Sequence, residues 1–349
     1  MVSLLESTQD GLHCAVGGFH IDPWRKVDSA VITHAHSDHT QWGCGAYLAS
    51  RDSYEVLRER LGPDDRIETL PYGASLVRNG VRISLHPAGH ILGSAQARVE
   101  YRGEVWVVSG DYKTQSDPTC RQIEPVRCHT FVTESTFGLP IYHWREPTEV
   151  AGEINEWWRA NQDTGRTSVL FAYSLGKAQR LLSLIDASIG PILAHGATCR
   201  MTGAYVRAGV RLPSIQKADA ENARELRGKA LVIAPMSAQG SPWMKKFQPV
   251  STASASGWMQ IRGTRRRMSL DRGFVISDHA DWDGLVNVIR ETGADDILVT
   301  HGYTDVLTRW LGENGWNARV LPTPYQGEIE GDPEEATPAA ADLDADGAC

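Results

Sequence analysis

The sequence predicts an α/β fold, and two changes of texture along the chain predict it. From the start to about residue 138, short apolar runs end in loops rich in Gly, His and Asp, whereas from about residue 147 such runs alternate with longer helical segments. The first pattern belongs to a sheet with antiparallel pairs and the second to strands joined by helical crossovers. A length of 349 residues accommodates about two domains, each with a full core.

The strands of the first stretch are predicted at 29–33, 81–86, 95–101, 105–109 and 130–133. Ala95, Ala97, Val99 and Tyr101 alternate with polar neighbours, and Arg102-Gly103 supplies a turn before Val105, so 95–101 and 105–109 form a hairpin. A helix over 149–160, a strand over 168–172, a helix over 177–187 and strands over 191–194 and 231–234 follow. Residues 257–262 and 273–276 then lead back to the first texture. Residues 296–300 read as a strand, and 304–314 as a helix that Gly315 caps. The middle, 143–272, therefore reads as a domain inserted into a first domain made of 1–142 and 273–327. No repeat of solenoid period is present.

Residues 328–349 carry eight acids and neither Lys nor Arg, which accounts for the whole net charge of -8 and leaves a charge-balanced body. This stretch is predicted to be a disordered acidic tail. With 41% hydrophobic and 22% charged residues the rest is ordinary globular protein. No apolar run reaches the roughly 18 residues of a membrane span, and the opening MVSLLESTQDG has an acid and no base, which predicts a soluble protein without a signal peptide. The six cysteines are scattered without C-x-x-C spacing, which argues against a disulfide framework or zinc ribbon and fits reduced thiols in a cytoplasm.

The strongest chemical signal is His34-Ala-His36-Ser-Asp38-His39 at the end of a predicted strand. His34 and His36 are two apart, so both imidazoles lie on one side of an extended segment, and Asp38 and His39 can aim at a neighbouring point. Four candidate ligands in six residues point to metal binding, with a satisfied polar cluster as the plain alternative. One such cluster cannot close two sites. His90, Asp111 and His301 each follow another predicted strand and complete the count, although singly each reads equally well as a turn or cap residue.

The order H-x-H-x-D-H, His, Asp, His at successive strand ends resembles the metallo-β-lactamase superfamily. Thr133-Glu134-Ser-Thr-Phe-Gly138 before the insertion, Ser277-Asp-His279-Ala-Asp-Trp after it and Thr300-His301-Gly-Tyr resemble the signature motifs of its β-CASP nucleases. GGFHIDPW, VITHAHSDHT, PAGHILGSAQ, GDYK, FAYSLGKAQR, GWMQIRG and SDHADWDGL are similar to the bacterial ligase-associated DNA exonuclease branch, over about residues 10–325. The resemblance implies an αββα metallo-β-lactamase sandwich with an inserted α/β β-CASP domain. It implies two zinc ions, with manganese as the substitute: His34, His36 and His90 on one, Asp38, His39 and His301 on the other, Asp111 bridging. Asp22 would orient a ligand from behind, its alternative being a turn aspartate before Pro23. Asp38 and Asp111 would serve catalysis through the metals. His279 would give the leaving oxygen its proton, with Glu134 holding the imidazole, unless Glu134 is a surface carboxylate.

For the polymer, Arg262, Arg265, Arg266 and Arg267 offer phosphate contacts, and a solvated strand edge is their plain alternative. Ser174 and Lys177, in Ser174-Leu-Gly176-Lys177 at a strand-to-helix junction, are candidates for holding a phosphate, although the segment is no Walker A. Lys245 and Lys246 are weaker candidates, and His195 is equally a structural or a cleft residue. The reading is a nuclease hydrolysing DNA phosphodiesters in repair, an exonuclease associated with an ATP-dependent DNA ligase, in the cytoplasm and away from membranes. An RNA-processing ribonuclease and a non-catalytic nucleic-acid-binding scaffold are the alternatives, and a small-molecule hydrolase would lack the insertion.

Overall fold

A computed structural model describes residues 3–63, 66–323 and Cys349, so the acidic stretch predicted as a tail lies, apart from Cys349, outside the described residues. The chain divides into two compact units, one containing Met1–His143 and the return from Asp278, the other containing Trp144–Ser277.

The first unit holds two sheets. One has six strands, Glu6–Thr8, Gly11–Cys14, Phe19–Ile21, Ala30–Val31, Tyr47–Ser50 and Ile67–Leu70, in sequence order. The other has seven, running from the edge strand Asn317–Val320 through Asp296–Gly302, Thr130–Ser135, Glu104–Val108, Ala95–Tyr101 and Val81–Pro87 to Ser75–Arg78. The two sheets share one core in which Leu12, Ile21, Val31 and Leu48 meet Ile83, Ala97, Val99, Trp106, Val108 and Val132. Alternate residues of the same strands, Val105, Val107, Phe131, Ile297 and Val299, turn the other way and pack with Leu285, Val288, Ile289, Leu307 and Leu311 of the helices Trp282–Thr292 and Thr304–Glu313. The period of two thus feeds two apolar layers from one sheet.

The predicted hairpin forms with Tyr101 opposite Glu104, and Arg102 and Gly103 take the positive φ angles, 50° and 85°, that a tight two-residue turn demands. Several short strands of the first sheet went unpredicted. Tyr47–Ser50 is one: all four residues are buried, so it shows no alternation to read.

The second unit is a parallel sheet in the order Gln216–Lys217, Ile192–Ala194, Leu231–Ala234, Thr167–Phe171, Val250–Ala255, Arg272–Phe274. Both faces are covered: Leu170, Ile192, Leu231 and Ile233 pack with the helices Pro147–Asp163 and Lys177–Leu184, while Val169, Phe171, Leu193 and Val232 face the opposite cluster. Three expectations are corrected here. Residues 257–262, expected to lead back to the first texture, are the short helical turn Gly257–Gln260 running into the helix Arg262–Arg267. Arg272–Phe274 pairs with Val250–Ala255 and so belongs to this sheet rather than leading back to the first region. Cys199 is joined to Cys349 by a disulfide, against the expectation of thiols throughout, since a separation of 150 residues carries no local signal. The other four cysteines are free thiols.

Candidate metal centre

The ends of the central strands of the first unit converge on Asp111. After the strand Ala30–Val31 the chain is pinned on both sides, by Ile32 N–H donating to the Leu48 carbonyl and Ala95 N–H donating to the Thr33 carbonyl. It then turns, with His39 and Thr40 N–H both donating to the His36 carbonyl, at 3.2 and 3.0 Å. His34 and His36 therefore project into one space, their rings 4.8 Å apart. Asp111 comes off the strand Glu104–Val108 through Gly110 at φ 56°, where an added Cβ would stand 2.5 Å from Thr33 Oγ1, so glycine is what allows the two loops this approach. His301 lies in the strand Asp296–Gly302 at φ 55°, and an added Cβ at Gly302 would stand 2.4 Å from the Ser135 carbonyl.

Six of the seven expected ligands meet in two groups that share Asp111: His34, His36 and His90 in one, His39 and His301 in the other. Asp111 Oδ2 lies 3.7 Å from His34 Nε2, 3.6 Å from His39 Nε2 and 3.9 Å from His90 Nε2, and Oδ1 lies 3.7 Å from His301 Nδ1. Among the described residues Asp38 is the one expected ligand outside these groups; its Oδ2 lies 3.6 Å from His39 Nε2. A third group, Asp111 with Glu134 and His279, borders the first.

The polar atoms behind the ligands fix their tautomers. Asp22, at φ 44°, accepts from Thr33 N–H and, at 2.6 Å, from the Thr33 hydroxyl. That hydroxyl is thereby left as an acceptor for His34 Nδ1 at 3.1 Å. Asp22 also takes His39 Nδ1 at 2.7 Å, so one carboxylate orients two histidines, and it is no mere turn residue. His90 Nδ1 donates to the Asp278 carbonyl at 2.7 Å, which leaves its Nε2 as a lone pair facing His36 Nδ1 at 3.1 Å. His34 Nε2, His39 Nε2 and Asp111 Oδ1 are buried without a hydrogen-bond partner among the described residues. Buried nitrogen and oxygen atoms converging without hydrogen-bond partners are what a cation satisfies, and this mixed imidazole and carboxylate set fits a divalent metal such as zinc.

Electrostatics divide the cluster. Burial, reinforced by His39 and His90, holds His34 well below the usual histidine range, and burial with His279 and His36 does the same to His90. Burial works against a charge on His39 too, but the carboxylates of Asp38, Asp111 and Asp22 outweigh it and push this imidazole up to about 10. Asp111 is buried, yet His39, His301 and His279 hold its carboxyl well below the usual carboxylate range.

Glu134 is the penultimate residue of the buried strand Thr130–Ser135 and is 1% exposed, which overturns its alternative as a surface carboxylate. Its Oε1 accepts from Tyr112 N–H at 2.8 Å, and its carboxylate accepts from His279 Nδ1 at 2.8 Å. The His279 ring stands 4.6 Å from that of His90.

The nucleic-acid candidates stand in the second unit. Arg262, Arg266 and Arg267 are exposed on the helix Arg262–Arg267, a helix rather than the strand edge of their plain alternative; Arg265 belongs to it, with its side chain outside the description. Ser174 and Lys177 are both buried, with Lys177 Nζ 4.8 Å from the Tyr173 ring centre and Ser174 Oγ 3.3 Å from Thr198 Oγ1. His195 caps the helix Gly196–Arg207, accepting from Ala197 N–H, and packs on Trp243. Sequence reasoning missed Thr33, whose signal was its place immediately before His34, and the Asp278 carbonyl, for which no local signal exists.

No family profile matches the chain. It is 28% identical over 322 residues to a probable DNA ligase of Opitutus terrae, covering 91% of this chain and 31% of that protein. It is 31% identical over 126 residues to the endoribonuclease YSH1 of Yarrowia lipolytica, covering 35% of this chain and 15% of that protein. To the cleavage and polyadenylation specificity factor 73 of Drosophila melanogaster it is 25% identical over 202 residues, or 53% of this chain and 29% of that protein. The chain thus spans less than a third of the length of these curated relatives. A solved protein of unknown function from Enterococcus faecalis V583 shares the fold, with a TM-score of 0.58 at 12% identity over 86% of this chain and 80% of that one. Among the described residues no helix is long and apolar enough to cross a membrane.

Proposed function

We propose that this protein is a metal-dependent nuclease that hydrolyses phosphodiester bonds of DNA, an exonuclease working in repair beside an ATP-dependent DNA ligase. The observation that carries the reading is the convergence of buried, partnerless ligand atoms on Asp111, with an oriented Glu134–His279 pair at its border. The long match to a protein named as a DNA ligase supports the DNA and ligase parts. On this reading the unit that returns at Asp278 is the metallo-β-lactamase domain, expected from the sequence as 1–142 with 273–327, and Trp144–Ser277 is the β-CASP domain, expected as 143–272.

His34, His36 and His90 would hold one zinc and Asp38, His39 and His301 the other, with Asp111 between them. Bound there, the metals supply a nucleophile at neutral pH and charge to receive the phosphate. The rest falls to the chain's own side chains. Glu134 accepts from His279 Nδ1 and favours the charged imidazole, whose Nε2 proton goes to the leaving oxygen. Asp22 keeps His39 and His34 presenting Nε2. Arg262, Arg265, Arg266 and Arg267 hold the phosphates of the polymer, while Ser174 and Lys177, both buried, do not reach it.

The matches to proteins named as endoribonucleases favour a second reading, RNA as the substrate. Incubating the protein with end-labelled single-stranded and duplex DNA and RNA, with and without chelator, decides between them. A chelator-sensitive ladder from one end of DNA is expected. Cutting of RNA alone transfers the assignment to the second reading, and no cutting of any of them removes both.

A further inference from the structure

Behind His90 lies a side chain that the reaction as proposed leaves unused. Lys113 is 0% exposed, and its ammonium reaches three separate loops. Nζ donates to the His90 carbonyl at 3.0 Å and to Asp117 Oδ2 at 2.6 Å, and lies 3.9 Å from Asp278 Oδ1. Asp117 is itself locked, its other oxygen accepting from Thr119 N–H at 2.8 Å and Thr119 Oγ1 at 2.7 Å. The backbone around Lys113 is tied to the same loops: its N–H donates to the Ala88 carbonyl, and the neighbouring Tyr112 carbonyl accepts from Ala280 N–H at 2.7 Å.

His90 is thus gripped twice by elements that Lys113 joins. Its main chain is held by Nζ directly. Its imidazole is held by the carbonyl of Asp278, whose carboxylate pairs with the same ammonium. A buried ammonium is costly unless paired, and here the pairing also joins three loops that feed the cluster.

Resting on the metal-dependent reading above, we propose that Lys113 is the positioning residue of the metal site held by His34, His36 and His90, setting the direction of His90 Nε2. Its removal weakens that site selectively and leaves the site at His39 and His301 intact. Partners behind a ligand typically set metal affinity by about 10-fold to 100-fold.

The test uses the full chain, stripped of metal and titrated with zinc against a chromogenic chelator, alongside thermal unfolding. Lys113→Met alone strands buried carboxylates and endangers folding, so Lys113→Met/Asp117→Asn is compared with Asp117→Asn. The single variant keeps the bond from Nζ to the His90 carbonyl and should lose stability while binding both zinc equivalents nearly as the parent does. The double variant should bind one equivalent about 10-fold to 100-fold more weakly and the other within about 3-fold of the parent. Equal affinities in the two variants, equal weakening of both equivalents, or a double variant that fails to fold where the single one folds would overturn the positioning role. A parent chain that takes up no zinc instead removes the proposed function, and this inference with it.

Discussion

The two sides of Asp111 are built from the same chemistry and differ in how they meet water. On the side of His34 and His90 the imidazoles are 0% and 1% exposed and held neutral; on the other, Asp38 is 28% exposed, His301 is 9% exposed and His39 is pushed up to about 10. The closed side is a preformed socket for a cation. The open side carries more negative charge and is bordered by a pocket lined by Leu12, Trp24, Asp38, His39, Leu321 and Thr323. One carboxylate serves both, so the difference lies in what stands around it.

The largest expected effect comes from cutting the link itself. Asp111→Asn should release both zinc equivalents together and reduce turnover by about 10,000-fold, the upper end for loss of a catalytic group. Loss of one equivalent by metal analysis would mean two independent sites and end the comparison.

His279→Ala should cost roughly 100-fold to 10,000-fold in turnover while both metals stay, because its partner is Glu134 rather than an orphaned ligand. Glu134→Gln should cost less, and the double variant hardly more than His279→Ala alone. Zinc lost from His279→Ala would instead make the third group, Asp111 with Glu134 and His279, a site of its own.

The opposite shifts of the two sides sharpen the contrast in the metal-free chain. His39 is raised from 6.5 to about 10, so its contribution is complete below pH 6.5 and fades as pH climbs through about 10. His34 and His90 are lowered, so theirs is complete above 6.5 and fades as pH falls below it. Urea unfolding of chelator-treated protein at about pH 5, 7 and 9 should show losses at both extremes. His39→Gln should abolish the alkaline loss and keep the acidic one; a variant that keeps both would refute the assignment.

The smallest effect lies outside the cluster. Replacing Arg262, Arg266 and Arg267 by Ala should flatten the salt dependence of nucleic-acid binding by about one unit of slope for each phosphate no longer neutralised, with zinc content unchanged. An unchanged slope would make the helix Arg262–Arg267 an ordinary solvated surface.

The cluster was legible because its members follow apolar strands, and because His34, His36 and His39 crowd into six residues that leave a sheet together. What supports them was not. The Asp278 carbonyl and the Lys113 ammonium act on His90 across 188 and 23 residues, which no spacing rule reports, whereas Thr33, adjacent to His34, was overlooked. The same limit hid the disulfide between Cys199 and Cys349. Val250–Ala255 was missed for a different reason: VSTASA is small and polar, and its burial among neighbouring strands outweighs its weak local preference.

His301 and Asp22 both hold left-handed backbone, at φ 55° and 44°. That conformation costs most side chains about 1 kcal/mol or more, and Asn, Asp and His bear it better than the rest. It also narrows the routes by which sequence drift can retire these positions. At 301 a branched or bulky substitute pays in folding before chemistry is counted, whereas glycine relieves the backbone and surrenders the ligand. Descendants that have abandoned this ligand should therefore be found with Gly, Asn or Asp at the position far more often than with Val or Ile, and a lineage can give up the open side of the cluster by a step that makes the fold no weaker.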